Sequence, residues 1–464
     1  MKATENKISL KTASFIVMGS MIGSGIFIVS SDMARVLGSP FLLLLTWILT
    51  GVMTLIAALS YGELAGLFPK SGGQYHYIKE VYGDLTGFLF GWSTFTVISC
   101  GTIAAVAVAF AKFTAVLFPI FAPENILFQN NFFTLTAEKP IAILSIIIFT
   151  YLNSKSLQNG AWIQNVLTTI KILSFGILII FSLFIFSKPE VIQLNFTNFF
   201  NTNSLHGFSL ISAIGIAMVG SLFSSSAWEN VTYLSGEIEN TKKNVPLAMF
   251  IGVISVTILY LLTNVAYLFV LPFWGQKDGL DVFSRGIQYA TQDRVGSAAF
   301  TAMLGYSGTI LMAFMIMIST LGCNNGLILS AVRVYQSMAN DGLFFKKMKE
   351  VNANGIPVFA LWIQCLWCCL LCLSGKYGDL LDYVMFVVMI FYILSILAIF
   401  ILRFKKPDLE RPIKAWGYPI LPAIYILMAL TFTINLLISK PQFTIPGLFI
   451  VIMGIPVYYL WKRF

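Results

Sequence analysis

The run Gly19-Ser20-Met21-Ile22-Gly23-Ser24-Gly25-Ile26-Phe27 sets three glycines and two serines in the middle of an apolar stretch near the N-terminus. The run Phe223-Ser224-Ser225-Ser226-Ala227-Trp228-Glu229-Asn230 sets three consecutive serines and then a carboxylate in the middle of another. Glycine is costly inside a helix, so the first stretch is expected to break, and the second carries the same kind of defect. A half-helix restarting near Ile26 turns free N–H groups and the positive end of its dipole toward the gap, where a carboxylate binds. Residues leaving a helix at the second break expose carbonyls that accept hydrogen bonds from an ammonium group. Donors for a carboxylate on one side and acceptors for an ammonium on the other match the backbone of an amino acid. Close helix packing through Gly19, Gly23 and Gly25 is the plainer explanation. It does not account for Ser20, Ser24 and the serine triplet together.

Isolated charges in apolar surroundings come next. Lys171 lies in Ile170-Lys171-Ile172-Leu173, well inside an apolar stretch, at a depth its stem does not easily escape by snorkelling. Glu229 is equally deep, just past the second break, and has two readings: a structural partner for N–H groups of a second half-helix, or a site for a proton or a substrate ammonium. Lys112 lies near the end of its stretch and can snorkel, whereas Glu63, close to the end of another, reads as a gate or loop anchor.

These residues need a membrane around them. The chain has 464 residues, of which 58% are apolar, 15% aromatic and 11% charged, and a mean hydropathy of +0.84. Soluble domains carry about a quarter charged residues, so this composition belongs in a bilayer. Stretches long enough to cross the hydrocarbon can be placed near 11–37, 40–67, 84–118, 139–153, 160–186, 208–235, 246–272, 299–332, 357–374, 379–403, 418–438 and 444–461. The expected fold is therefore an all-α polytopic membrane protein with twelve transmembrane helices, the whole of 1–464 forming one domain. With the N-terminus inside, nineteen lysines and arginines, from Lys2 and Lys7 through Lys346, Lys347 and Lys349 to Lys462 and Arg463, fall on the cytoplasmic side. Eight, among them Arg35, Lys277, Lys376 and Lys440, fall outside. The asymmetry predicts both termini in the cytoplasm, and it explains the net charge of +9 without a nucleic acid partner. The six cysteines, Cys100, Cys323, Cys365, Cys368, Cys369 and Cys372, all sit in apolar stretches and read as small buried hydrophobes rather than as disulfides or a zinc site. His76, expected in a loop, and His206, at a helix start, are too far apart to suggest a metal. Two broken helices in corresponding halves point to a secondary transporter built from inverted repeats, with its substrate bound near the midplane.

Taken in order along the chain, the motifs resemble those of the amino acid-polyamine-organocation transporter superfamily, and among its branches the L-type amino acid transporter-like bacterial permeases. The residues that carry the resemblance are Gly23-Ser24-Gly25-Ile26-Phe27, Tyr61-Gly62-Glu63-Leu64, Pro69-Lys70-Ser71-Gly72-Gly73-Gln74-Tyr75, and Gln164-Asn165 with Thr168 and Lys171. Further on come Trp228-Glu229-Asn230, Glu237 to Pro246, and Arg333-Val334-Tyr335 with Met338-Ala339-Asn340-Asp341-Gly342. The resemblance implies two inverted five-helix repeats, about 11–186 and 208–403, in which the first and sixth helices are broken, plus two peripheral helices over about 418–461. It implies alternating access at an inner-membrane site. There Ser24 and Gly25 meet the substrate carboxylate, carbonyls of Met21, Phe223 and Ser226 meet its ammonium, and Phe223 acts as an aromatic gate. It further implies that Lys171, with Ser319 as a neighbour, replaces a sodium ion. The outer segment 119–138 contains no cysteine, so no disulfide-linked heavy chain is expected.

The expected activity is sodium-independent transport of amino acids, neutral L-amino acids foremost, by exchange or proton coupling, with no cofactor. A cationic amino acid or polyamine antiporter, with Glu229 on the distal charge, is the alternative. A sensor that binds without transporting would be expected to carry a soluble signalling extension, and no triad, metal cluster or phosphate loop suggests an enzyme.

Overall fold

A computed structural model describes residues 7–129, 134–197, 199–202, 205–374 and 377–462, with the backbone alone for 374 and 377–383. Lys2, Lys376 and Arg463, which entered the charge asymmetry, lie outside the described residues. Helix α1 (Leu10–Met21) begins where the Ser9 hydroxyl accepts the Thr12 N–H and stops at Ile22. The chain then makes a 3-10 turn at Gly25–Phe27 and resumes as α2 (Val29–Leu37), which Gly38 closes at φ 62°. Helix α3 (Pro40–Leu67) starts with proline in its first turn, where the missing N–H has no helical partner to lose.

Helix α4 (Gln74–Tyr82) occupies a stretch that the sequence suggested was a loop, and His76 lies on it. Helices α5 (Asp84–Ser93) and α6 (Ser99–Leu117) run together through a π turn as a 34-residue rod. A short antiparallel hairpin, β1 (Ile126–Gln129) and β2 (Thr134–Thr136), leads into α7 (Glu138–Asn153) and α8 (Leu157–Ile180). Helix α9 (Pro189–Thr197) precedes α10 (Gly207–Ser224), at whose start His206 is the N-cap.

The second expected break is present, but the helix beyond it is much shorter than a half-helix of several turns. Ala227 adopts φ 67°, and α11 (Asn230–Tyr233) is a single turn that passes into a 3-10 turn at Ser235–Glu237. Helix α12 (Thr241–Val270) then crosses back. The short α13 (Val282–Arg285) precedes a second departure from expectation. The stretch 299–332 is not one helix: α14 (Val295–Leu304) ends at Gly305, φ 64°, and α15 (Tyr306–Asn340) continues past residue 332. The added turns are helical because Val334, Tyr335 and Met338 bury one face completely, which the charge of Arg333 obscured in the sequence. The last helices are α16 (Val358–Ser374), α17 (Tyr377–Lys405), α18 (Ile420–Ser439) and α19 (Pro441–Trp461).

Among the described residues nine helices are long and apolar enough to cross a membrane. The expected spans outside that group are the broken first one and the shorter α7 and α16. Helix α1 packs between α12, α8 and α15, and α10 packs against α2 and α3, so the two breaks lie side by side in the middle of the bundle. Glycines allow the close crossings. A Cβ on Gly252 would strike Val17, one on Gly51 would strike Thr257, and one on Gly322 would press on Leu167 and Lys171.

Candidate functional site

A broken helix leaves carbonyls without helical partners, so the first question at each break is which groups take their place. At the first, the partners come from other helices. Lys171 Nζ, from α8, donates to the carbonyls of Gly19 and Ile22, each at 2.7 Å. Ser319 Oγ, from α15, lies 3.3 Å from the Ile22 carbonyl and 3.1 Å from that of Gly23, while Cys323 Sγ, one turn on, donates to the Ser20 carbonyl at 2.9 Å. Tyr260 Oη, from α12, lies 3.0 Å from the carbonyls of both Met21 and Ser224, bracketing one break to the other. Lys171 is 1% exposed and turns inward rather than snorkelling.

At the second break, apart from Tyr260 on the Ser224 carbonyl, the partners are local. The Ser226 hydroxyl and N–H both donate to the Phe223 carbonyl, at 2.7 and 3.1 Å. The Ser225 N–H returns to Ser221, and the Asn230 N–H to Ala227. Two carbonyls expected to face an ammonium, those of Met21 and Phe223, thus hold protein donors in this conformation, since Met21 also accepts the Gly23 N–H at 3.0 Å.

The breaks touch at Gly25. A Cβ there would strike the Ser224 hydroxyl and stand 3.2 Å from the Ser224 Cα. A bulky residue at this position therefore meets the opposite break first. Beside the contact lies a narrow gap with room for about one water molecule, lined by Ser20, Met21, Ser24, Gly25, Phe223, Ser226, Thr102 from α6 and Cys323. Met21, Ser24, Gly25, Phe223 and Ser226 are thereby brought together. Glu229 is not among them.

Glu229, 4% exposed, faces the other side of the second break and accepts a hydrogen bond from Tyr392 of α17 at 2.6 Å. The Tyr392 ring packs with Trp228 and Tyr61 at centroid distances of 5.5 and 6.0 Å. A second small cavity on this side is lined by Thr54, Ser225, Ser226, Trp228, Tyr392 and Tyr425, so Ser226 borders both. The other two charges singled out in the sequence, Glu63 and Lys112, are held by protein partners. Glu63 is fully buried against Arg403 and Arg411 and accepts the Ala415 N–H at 2.7 Å, tying α3 to the segment after α17. Lys112 donates to the Gln292 carbonyl at 2.6 Å.

Sequence reasoning missed Tyr260, Tyr392 and the polar role of Cys323. Cys323 had a readable signal, because it stands four residues after Ser319 and so on the same helix face. It also missed a buried amide chain. Asn153 donates to Asn325 at 2.9 Å, and Asn325 donates to Gln164 at 2.9 Å, joining α7, α15 and α8.

Comparison with known proteins places the chain in a family. The family model described as amino acid permease matches residues 8–459. The chain is 30% identical to the mouse (Mus musculus) large neutral amino acids transporter small subunit 2, over 99% of this chain and 81% of that protein. It is 28% identical to the mouse Asc-type amino acid transporter 1, over 99% and 81%, and 26% identical to the mouse b(0,+)-type amino acid transporter 1, over 98% and 88%. With nearly its whole length matched, this chain belongs to the amino acid permease family.

Proposed function

We propose that this permease is a sodium-independent secondary transporter of amino acids, with neutral L-amino acids as its main substrates. The observation that carries the reading is the meeting of two helix breaks at Gly25 and Ser224, beside a gap lined by Met21, Ser24, Phe223 and Ser226. In this reading the substrate carboxylate takes the N–H groups at Ser24 and Gly25, and its ammonium takes carbonyls at the two breaks once Tyr260 and Ser226 release them. Phe223 covers the bound substrate. The gap is too small for an amino acid as it stands, so binding requires the breaks to part, as alternating access does.

Sodium independence is supported by Lys171. Its ammonium sits where a cation between α1 and α15 would bind and already engages the carbonyls of Gly19 and Ile22 beside Ser319. The similarity to the large neutral amino acids transporter small subunit 2 favours the neutral substrate class. Glu229 is assigned to proton handling rather than to a distal substrate charge, because it turns away from the gap toward Tyr392. That placement argues against the cationic amino acid or polyamine antiporter.

The architecture proposed with this function has twelve spans in a single domain: inverted repeats over about 11–186 and 208–403, and peripheral helices over about 418–461. Both termini lie in the cytoplasm, the protein resides in the inner membrane, and it works without a disulfide-linked heavy chain. The test is uptake of a panel of labelled amino acids into proteoliposomes, with and without internal substrate and with sodium replaced by choline. Uptake of neutral amino acids that persists in choline is expected. Absence of uptake for every amino acid would overturn the transport reading, and a sodium requirement would overturn the role given to Lys171.

A further inference from the structure

Away from the breaks, two segments far apart in sequence meet at one end of the bundle. Just past α15, the chain carries Phe344-Phe345-Lys346-Lys347-Met348-Lys349, whose last four residues form a 3-10 turn. Met348 is fully buried and fastens the turn, while Lys346, Lys347 and Lys349 are exposed. Helix α19 finishes at the same place. Trp461 stacks on Phe344, with centroids 6.0 Å apart at 28°, and meets Phe345 edge-on at 4.7 Å. The residue after Trp461 is Lys462, also exposed, whose ammonium stands over the Tyr458 ring at 5.6 Å. Four lysines are thus gathered around one aromatic floor, opposed in these segments by Glu350 alone.

The floor continues into apolar surface. Phe345, on the turn after α15, and Tyr459 and Leu460, near the end of α19, are about half exposed, at 49%, 56% and 57%. Both α15 and α19 are membrane-length helices, so their ends set the depth of this patch at the boundary between hydrocarbon and water. Aromatic side chains prefer that depth, and lysines just above it attract anionic headgroups. A soluble anion would use the lysines and leave the apolar strip uncovered.

We propose that this patch is a binding site for one anionic phospholipid, with the headgroup phosphate among Lys346, Lys347, Lys349 and Lys462 and an acyl chain along Phe345, Tyr459 and Leu460. The site joins the turn after α15, one of the helices that holds the first break, to the last peripheral helix. Its occupancy stabilises the protein independently of any transported substrate.

The experiment titrates palmitoyl-oleoyl phosphatidylglycerol into the purified protein in detergent micelles and follows the thermal midpoint, with palmitoyl-oleoyl phosphatidylcholine and soluble glycerol phosphate as comparators. Phosphatidylglycerol is expected to raise the midpoint saturably, and the other two are expected not to. Replacing the four lysines together (K346Q, K347Q, K349Q and K462Q) should weaken the response at least ~10-fold, and Lys462→Gln alone about fivefold. A control that removes four exposed lysines elsewhere, at Lys242, Lys243, Lys405 and Lys406, should leave it unchanged. Equal responses to the two lipids, or equal losses in the site and control variants, would overturn the proposal as general surface charge. A full response to glycerol phosphate would overturn it in favour of a soluble anion. If the fourfold variant gives no cooperative transition, an unchanged response in Lys462→Gln overturns it on its own.

Discussion

The two breaks differ in who holds them. The first is held from outside: Lys171 on α8, Ser319 and Cys323 on α15 and Tyr260 on α12 supply donors to the carbonyls from Gly19 to Gly23. The second is held mostly from within, through bonds from Ser225, Ser226 and Asn230 back to residues three or four positions earlier, with Tyr260 reaching its Ser224 carbonyl from α12. A break held by its neighbours changes shape only when those neighbours move, whereas a self-held break can exchange one local bond for another. The first therefore behaves as a post of the scaffold helices, and the second as the adjustable side of the gap. In this conformation they touch through a glycine and a serine.

That contact yields the largest predicted effect. Gly25→Val places a branched side chain on Ser224 and should abolish uptake while lowering the thermal midpoint, since overpacking of a tight contact costs about 1–3 kcal/mol. The pair Gly25→Ala and Ser224→Gly sharpens the point: Gly25→Ala alone should lose most uptake, and the double variant should regain part of it because the hydroxyl in the way is gone. A fully active Gly25→Ala single variant would break the idea that the two breaks must close on each other.

Next in size is the externally held break. Lys171→Ala strips donors from two buried carbonyls and should destabilise the protein by about 2–4 kcal/mol, slowing turnover more than it weakens substrate binding. Lys171→Met keeps most of the volume but not the donors, so it should be nearly as slow. If Lys171→Met turns over normally, the ammonium is a packing element and the distinction between the breaks fails.

A smaller effect is expected on the self-held side. Glu229→Gln keeps a side-chain oxygen to accept from Tyr392 and should leave exchange intact while removing accumulation driven by a pH gradient in sodium-free vesicles. Phe223→Ala should lower uptake severalfold by uncovering the gap, and because Phe223 is buried it should lower the thermal midpoint as well. pH-driven accumulation that survives in Glu229→Gln would remove the proton role from this side of the molecule.

Glycine and serine inside apolar stretches announce broken helices, and an isolated lysine or glutamate at membrane depth announces a partner, so the breaks and Lys171 were legible in the sequence. The partners themselves were harder to read. Tyr260 and Tyr392 are aromatic residues on apolar helices, and nothing in their local sequence separates a tyrosine whose hydroxyl bridges two carbonyls from one that merely packs. Which way Glu229 turns was equally hidden, because it follows the backbone at Ala227, where an alanine adopts a positive φ that its residue type does not announce. The end of α15 was misplaced because Arg333 reads as a loop charge, although Glu237 pairs with it and lets the helix continue.

The smallest predicted effect separates thiol from hydroxyl on the face that holds the first break. Cys323 donates to the Ser20 carbonyl one turn beyond Ser319, so Cys323→Ala should leave that buried carbonyl short of a partner and cost about 1 kcal/mol. Cys323→Ser restores a donor on a shorter bond and should recover most of the loss in thermal midpoint. Because Cys323 also lines the gap, the two variants should differ in uptake in the same order, with Ser closer to the wild type than Ala. The comparable change on the other side is Ser226→Ala, which removes one of two local donors to the Phe223 carbonyl and leaves the N–H bond in place. Its stability cost should be smaller than that of Cys323→Ala, since the self-held carbonyl keeps a partner. If Ser226→Ala proves the more costly of the two, the second break relies on its side chains as much as the first, and the gap has no adjustable side.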